Sequence, residues 1–169
     1  MQRFTIFTRS IMIIKKEKGA FMEIERKYLI DKNNIPCRLE DYPSRQIEQG
    51  YLCTEPVVRI RRDNEEYVLT YKSKGLMVRE EYNLPLTAES YTHLKSKIDG
   101  RLITKTRYML PLDSGLTIEL DLFHSDLAPL ILAEVEFPDE DTASAFQPPS
   151  WFGEDVTFSS RYHNSTLSK

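Results

Sequence analysis

Three side chains near the start of the chain stand at a spacing that invites chemistry: Glu23, Glu25 and Lys27, within MEIERKYLI at 22–30. Side chains in a strand point alternately to two faces. A strand here sets two carboxylates and an ammonium close together on one face. Paired carboxylates are hard oxygen donors suited to a divalent cation, and a lysine beside them offers charge to an anion.

The spacing recurs along the chain. Arg59 and Arg61 share a face in VVRIRR, as do Thr70 and Lys72 in YVLTYKS. Arg79, Glu81 and Asn83 alternate in VREEYNL, and Lys105 and Arg107 in LITKTRYML. Glu119 and Asp121 follow against Ile118, Leu120 and Leu122, then Glu134 and Glu136 against Ala133, Val135 and Phe137. A last basic residue, Arg161, lies in SSRYHN. Alternation alone fits an antiparallel sandwich with one wet face. A wet face, however, normally mixes Thr, Ser, Gln and Lys, whereas these doublets are acid with acid or base with base. Like charges roughly 7 Å apart on a strand repel unless opposite charge lies between them. A metal answers the acidic doublets and a polyanion the basic ones, so the ligand demanded is a metal-bound phosphate compound. If the apolar faces pack outward against helices, the charged faces line the inside of a barrel.

The elements that must position these residues can be read in order. Asp31 to Asn34, with Pro36 and Pro43, is turn chemistry, with a short helical turn around 37–42. Gln46 to Leu52 leads into the strand at 57–62, which pairs as a hairpin with 67–73 across Asp63-Asn64-Glu65. Gly75 interrupts the pattern before the strand at 78–84. Thr87 N-caps a helix predicted over 87–99, with Tyr91, Leu94 and Ile98 at helical spacing and Gly100 as its stop. Strands follow at 102–110, 116–123 and 131–137, then a short helix over 140–146.

Composition bounds the function. With 169 residues, 40% hydrophobic, 29% charged and a formal net charge of -3, the chain reads as one soluble domain with a real core. Such near-neutrality argues against nucleic-acid binding through bulk positive charge. Cys37 and Cys53 carry no metal-ligand spacing and read as free thiols in a reducing cytoplasm. No run approaches the ~20 apolar residues that span a bilayer, so no membrane partner is expected. Residues 1–21 read as an extension outside the domain at 22–169, with Met22 a candidate start of translation. His93, His124, His163 and Trp151 read as surface or packing residues, and Arg26 and Arg62 fall on the outer face.

The ExExK run of Glu23, Glu25 and Lys27, followed in order by VRIRR, LTYKS, REEYN, KTRY, IELD, AEVEF and RYHN, resembles the CYTH family, also called triphosphate tunnel metalloenzymes. The resemblance implies an α+β fold: an eight-stranded antiparallel barrel, open as a tunnel with a charged interior, and a few helices outside. It implies metal-dependent chemistry on a small-molecule triphosphate. Hydrolysis of inorganic tripolyphosphate is the first expectation; adenylate cyclase, thiamine triphosphatase and a non-catalytic binding module of the same fold are the alternatives. By position, Glu23, Glu25, Glu81, Glu119, Asp121, Glu134 and Glu136 would hold Mg²⁺ or Mn²⁺, two ions in all. Lys27, Arg59, Arg61, Lys72, Lys105, Arg107 and Arg161 would grip phosphate, with Glu23, Glu25 and Lys27 at the catalytic centre. Barrels of this kind often pair, which is compatible with a homodimer. Asn83 and Ser159-Ser160 depart from the family pattern, where acids are common.

Overall fold

Eight antiparallel strands close on themselves in the order β1-β5-β4-β3-β2-β6-β7-β8. The computed structural model describes residues 21–74 and 78–169, with only the backbone described at 21–23 and 78–79. The extension at 1–20, Gly75 and the side chains of Glu23 and Arg79 therefore lie outside the described residues. The strands are β1 (Phe21–Leu29), β2 (Ser44–Thr54), β3 (Val57–Asp63), β4 (Glu66–Lys72), β5 (Val78–Pro85), β6 (Asp99–Pro111), β7 (Thr117–Phe123) and β8 (Ile131–Glu136). Closure falls to β1, whose first half pairs with β5 and whose second half pairs with β8. Where β5 departs, the strap around residues 153–157 takes its place. Val156 N–H donates to the Lys27 carbonyl at 2.8 Å, and Leu29 N–H donates to the Glu154 carbonyl at 2.9 Å.

The barrel is inverted relative to a usual hydrophobic core. Ile24, Tyr28, Ile118, Leu120, Ala133 and Val135 are buried on the outer face, under α2 (Glu140–Ala145) and the flanking loops. Arg26 fastens this cover: its guanidinium donates to the carbonyls of Ala143 and Phe146 and pairs with Asp155. On the opposite side, α1 (Ala88–Lys95) lies against β3 and β4. Tyr91 and Lys95 both donate to Glu48 at 2.8 Å, so the charged residue of QIEQGYL serves the outer face.

Three local features differ from the expectation. The stretch at 46–52 is not a lead-in but the middle of an eleven-residue strand. The helix starts as expected, with Thr87 accepting from Ser90 N–H, yet it ends at Lys95 and leaves Ile98 outside. Ile98 packs where a side chain on Gly50 of β2 would have to sit. Its apolar character thus serves a strand contact rather than a helix face. Gly100 is not a helix stop but lies at the start of β6, with φ +82°.

One end of the barrel is sealed. Inward-facing Ile103, Phe123 and Leu132 join Tyr51 and Val156 in an apolar floor, against which Leu29, Val57, Tyr162 and Leu167 pack. The C-terminal segment, ending in the short α3 (Asn164–Leu167), is held over this floor by the Arg101 N–H, which donates to the Ser168 carbonyl at 2.6 Å. A Cβ on Gly100 would run into that same carbonyl, in a backbone conformation that L side chains rarely adopt. Gly100→Ala is therefore expected to cost roughly 1–2 kcal/mol and to loosen the C-terminal segment. Thermal denaturation together with hydrogen exchange over residues 160–169 checks this; unchanged protection there would separate Gly100 from C-terminal docking.

Candidate active site within the barrel

Strand register builds the site. Across the β1–β8 ladder Glu25 faces Glu136 and Lys27 faces Glu134, and across β7–β8 Glu119 faces Glu134. On the other side Arg59 faces Thr70, Thr70 faces Asn83 and Lys72 faces Glu81. These rows surround a cavity of about 370 Å³. Among the described residues, five acids (Glu25, Glu81, Glu119, Glu134, Glu136) and five bases (Lys27, Arg59, Arg61, Lys72, Arg107) line it.

Arg107 organises the acidic wall. Its Nε and Nη2 donate to the two oxygens of Asp121 at 2.7 and 2.6 Å, Nη2 also reaches Glu134 at 2.6 Å, and Nη1 pairs with Glu119. Lys27 Nζ pairs with Glu134 at 2.8 Å. Burial by itself would raise the Glu134 pKa, but the charges of Lys27, Arg107 and Lys105 outweigh it and hold the carboxyl well below the usual range. Lys105 and Asp121 form an ion pair with each other, both fully buried beneath the cavity rather than lining it. Burial lowers the Lys105 pKa to about 8, against the opposing pull of Asp121.

The opposite wall holds cations with unmet demand. Burial, together with repulsion from Arg59 and Arg107, lowers the Arg61 pKa to about 10. Among the described residues, the buried Nε atoms of Arg59 and Arg61 and the Oε1 of Gln49 have no hydrogen-bond partner. Leaving such a group unpaired costs about 1–3 kcal/mol. An anion accepting from the two Nε–H donors would recover their share, whereas the Gln49 oxygen is itself an acceptor and calls for a donor. Glu81 pairs with Lys72 at 2.8 Å. Burial would raise its pKa, yet the Lys72 charge and hydrogen bonds from Lys72 and Asn83 lower it to about 2.

The structure thus brings Glu25, Lys27, Arg59, Arg61, Lys72, Glu81, Arg107, Glu119, Glu134 and Glu136 to one cavity. It places Lys105 and Asp121 below, and Arg161 on the exposed surface over the Tyr162 ring, outside the lining. Sequence reasoning missed Gln49 and Tyr51, inward residues of β2 opposite Arg61 and Arg59, and the His163–Ser165 stretch that walls the cavity near its floor. The period-two spacing of Gln49 and Tyr51 was the available signal; for His163 there was none.

The donor set suits a hard divalent ion. The opposed Glu25/Glu136 and Glu119/Glu134 pairs set carboxylate oxygens side by side, with Arg107 and Lys27 offsetting part of their mutual repulsion. Among the described residues no three His, Cys, Asp or Glu already form a ready cluster. Magnesium commonly binds one or two carboxylates and shares the rest of its shell with waters and substrate phosphates, so sparse protein ligation fits it.

The barrel is thus inverted, with acidic and basic side chains lining an enclosed lumen and apolar residues outside. The CYTH domain family matches residues 22–169, and the chain belongs to that family. It is 40% identical over 154 residues to an inorganic triphosphatase of Nitrosomonas europaea, covering 86% of this chain and 95% of that one. Similarity to an inorganic triphosphatase of Acetivibrio thermocellus is 34% over 152 residues, covering 87% and 93%. A crystal structure of an inorganic triphosphatase superposes with a TM-score of 0.66 at 38% identity, covering 89% of this chain and 97% of that one.

Because the folded pKa of Glu81 is depressed, its contribution to stability is fully present above about pH 4.5 and is lost as pH falls through about 2. Glu81→Gln is expected to flatten the stability profile between those limits by on the order of 2 kcal/mol, read by urea unfolding at stepped pH. An unchanged slope would show that the Lys72 pair does not hold Glu81 ionised.

Proposed function

We propose that this protein hydrolyses a linear triphosphate, inorganic tripolyphosphate first, in the presence of Mg²⁺ or Mn²⁺. The observation that carries this reading is the unpartnered Nε donors of Arg59 and Arg61, buried opposite the carboxylate pairs Glu25/Glu136 and Glu119/Glu134. The two relatives described above, both inorganic triphosphatases, support the choice of substrate.

Phosphoryl transfer asks a protein chiefly for positioning and for stabilisation of charge. Arg59, Arg61 and Lys72 grip the phosphate oxygens, the arginines with forked donors and the lysine as a point charge. Lys27 and Arg107, already braced by Glu134 and Asp121, stabilise charge on the leaving diphosphate. Glu25, Glu119, Glu134 and Glu136, with Glu23, are the residues that would hold two metal ions. Bound there, the metal supplies charge neutralisation and a water of lowered pKa. Water attacks the terminal phosphorus, the phosphoanhydride bond breaks, and orthophosphate and diphosphate leave; no side-chain nucleophile is needed. The sealed floor, formed by Ile103, Phe123 and Leu132, keeps bulk water from that end. Free Cys37 and Cys53 suit a cytoplasmic setting, and among the described residues no helix is long and apolar enough to cross a membrane.

The test is phosphate and cyclic-nucleotide release from tripolyphosphate, ATP and thiamine triphosphate, with Mg²⁺, with Mn²⁺ and with EDTA. Metal-dependent release of phosphate from tripolyphosphate, at least tenfold above the other substrates, is expected. Cyclic AMP formation, or tight binding of tripolyphosphate without turnover, would replace this reading. Glu25→Gln is expected to lower kcat by on the order of 10²-fold or more with the circular dichroism spectrum intact; full activity would remove Glu25 from the centre.

A further inference from the structure

A chain of hydrogen bonds on the cationic wall links two of the phosphate-facing cations through Thr70, Asn83 and the ionised carboxylate of Glu81. Arg59 Nη2 donates to Thr70 Oγ1 at 3.1 Å. The Thr70 hydroxyl donates to Asn83 Oδ1 at 2.6 Å. Asn83 Nδ2 donates to Glu81 Oε1 at 2.6 Å, and the other Glu81 oxygen takes Lys72 at 2.8 Å. Each of these contacts except the one between Glu81 and Asn83 joins residues directly opposed across β3–β4 or β4–β5, so strand register sets the path. Glu81 and Asn83 are two apart on β5 and share its inner face.

The direction of the bonds makes position 83 special. Thr70 has one proton, and receiving from Arg59 leaves that proton for Asn83. The residue at 83 must therefore accept on one side and donate on the other, which an amide does and an ionised carboxylate does not. An aspartate there could accept from Thr70 but would set a second negative charge beside Glu81. That would turn a wired carboxylate into an acidic pair open to a cation.

We propose that Asn83 is a positioning residue. Through Thr70 it orients Arg59, and through Glu81 it orients Lys72, joining the two cations into a single phosphate-gripping unit. Glu81 belongs to that unit and is not a metal ligand, so metal binding is confined to carboxylates carried by β1, β7 and β8. This inference rests on the tunnel binding a phosphate chain, as proposed above.

Two readouts test it on the full chain: Mn²⁺ bound per chain without substrate, counted by electron paramagnetic resonance, and KM and kcat for tripolyphosphate with Mg²⁺. Glu81→Gln is expected to bind as many Mn²⁺ ions as the wild type. Asn83→Leu and Thr70→Val each raise KM roughly tenfold, with kcat falling by less, and Thr70→Ser restores KM. Asn83→Asp shares the rise in KM and gains one Mn²⁺ ion. Loss of an Mn²⁺ ion in Glu81→Gln would overturn the inference, as would wild-type KM in Asn83→Leu. Thr70 is buried, so if Thr70→Val fails to fold, the variants at exposed position 83 still decide the matter. The Mn²⁺ count needs no substrate. A wild type inactive on tripolyphosphate would end the functional reading while the assignment of Glu81 was still decided.

Discussion

The placement of the Arg107 guanidinium against three carboxylates is the constraint on which the interior depends. Closing an eight-stranded sheet with its charged face inward removes many ionised groups from water at once. Each such group carries a desolvation cost of several kcal/mol unless it meets a partner. Arg107 meets Glu119, Asp121 and Glu134 together, and Lys105 completes the neutralisation of Asp121 from below. With those groups satisfied, Lys27 and Glu134 can be held at the cavity surface. The residual demand falls on the far wall, at Arg59 and Arg61. The interior is therefore asymmetric: one wall is internally satisfied, and the other awaits an anion.

That asymmetry explains why a charge-lined barrel can hold its shape without a conventional core. The apolar residues that would normally fill the middle cover the outside of β1, β6, β7 and β8 and seal one end of the lumen. Arg26, on the outer face, ties β1 to α2 and to the strap at 153–157, while the Glu48 contacts tie β2 to α1. Rigid walls of this kind bring cations and carboxylates to fixed separations, which is the preorganisation that phosphoryl transfer needs.

Much of this was legible from the chain because strand periodicity and charge are both local properties. The doublets at 59/61, 119/121 and 134/136 announced an inward face, since nothing in water requires paired like charges on strand after strand. Depth was not legible. Lys105 and Asp121 share the parity of Arg107 and Glu119, and only strand tilt and stagger decide which of them reaches the lumen and which lies beneath it. Gln49 and Tyr51 escaped notice because they are uncharged, although they share one parity on either side of Gly50. Ile98 mimicked a helical position while serving a contact with Gly50. Arg161 and His163 lie in a segment without periodicity, where no rule assigns sides. In the structure it is His163, rather than Arg161, that turns to the cavity.

The inverted interior also bears on how stability varies with temperature. Exposing apolar surface raises the heat capacity of a protein, whereas exposing polar surface lowers it. Unfolding this barrel releases the ionised lining of the lumen along with the apolar jacket outside, and the two contributions oppose each other. The heat-capacity increment per residue is thus smaller than in a domain of equal size built around an oily centre. A smaller increment gives a flatter stability curve, so the fold loses less of its margin when cooled or warmed away from its optimum.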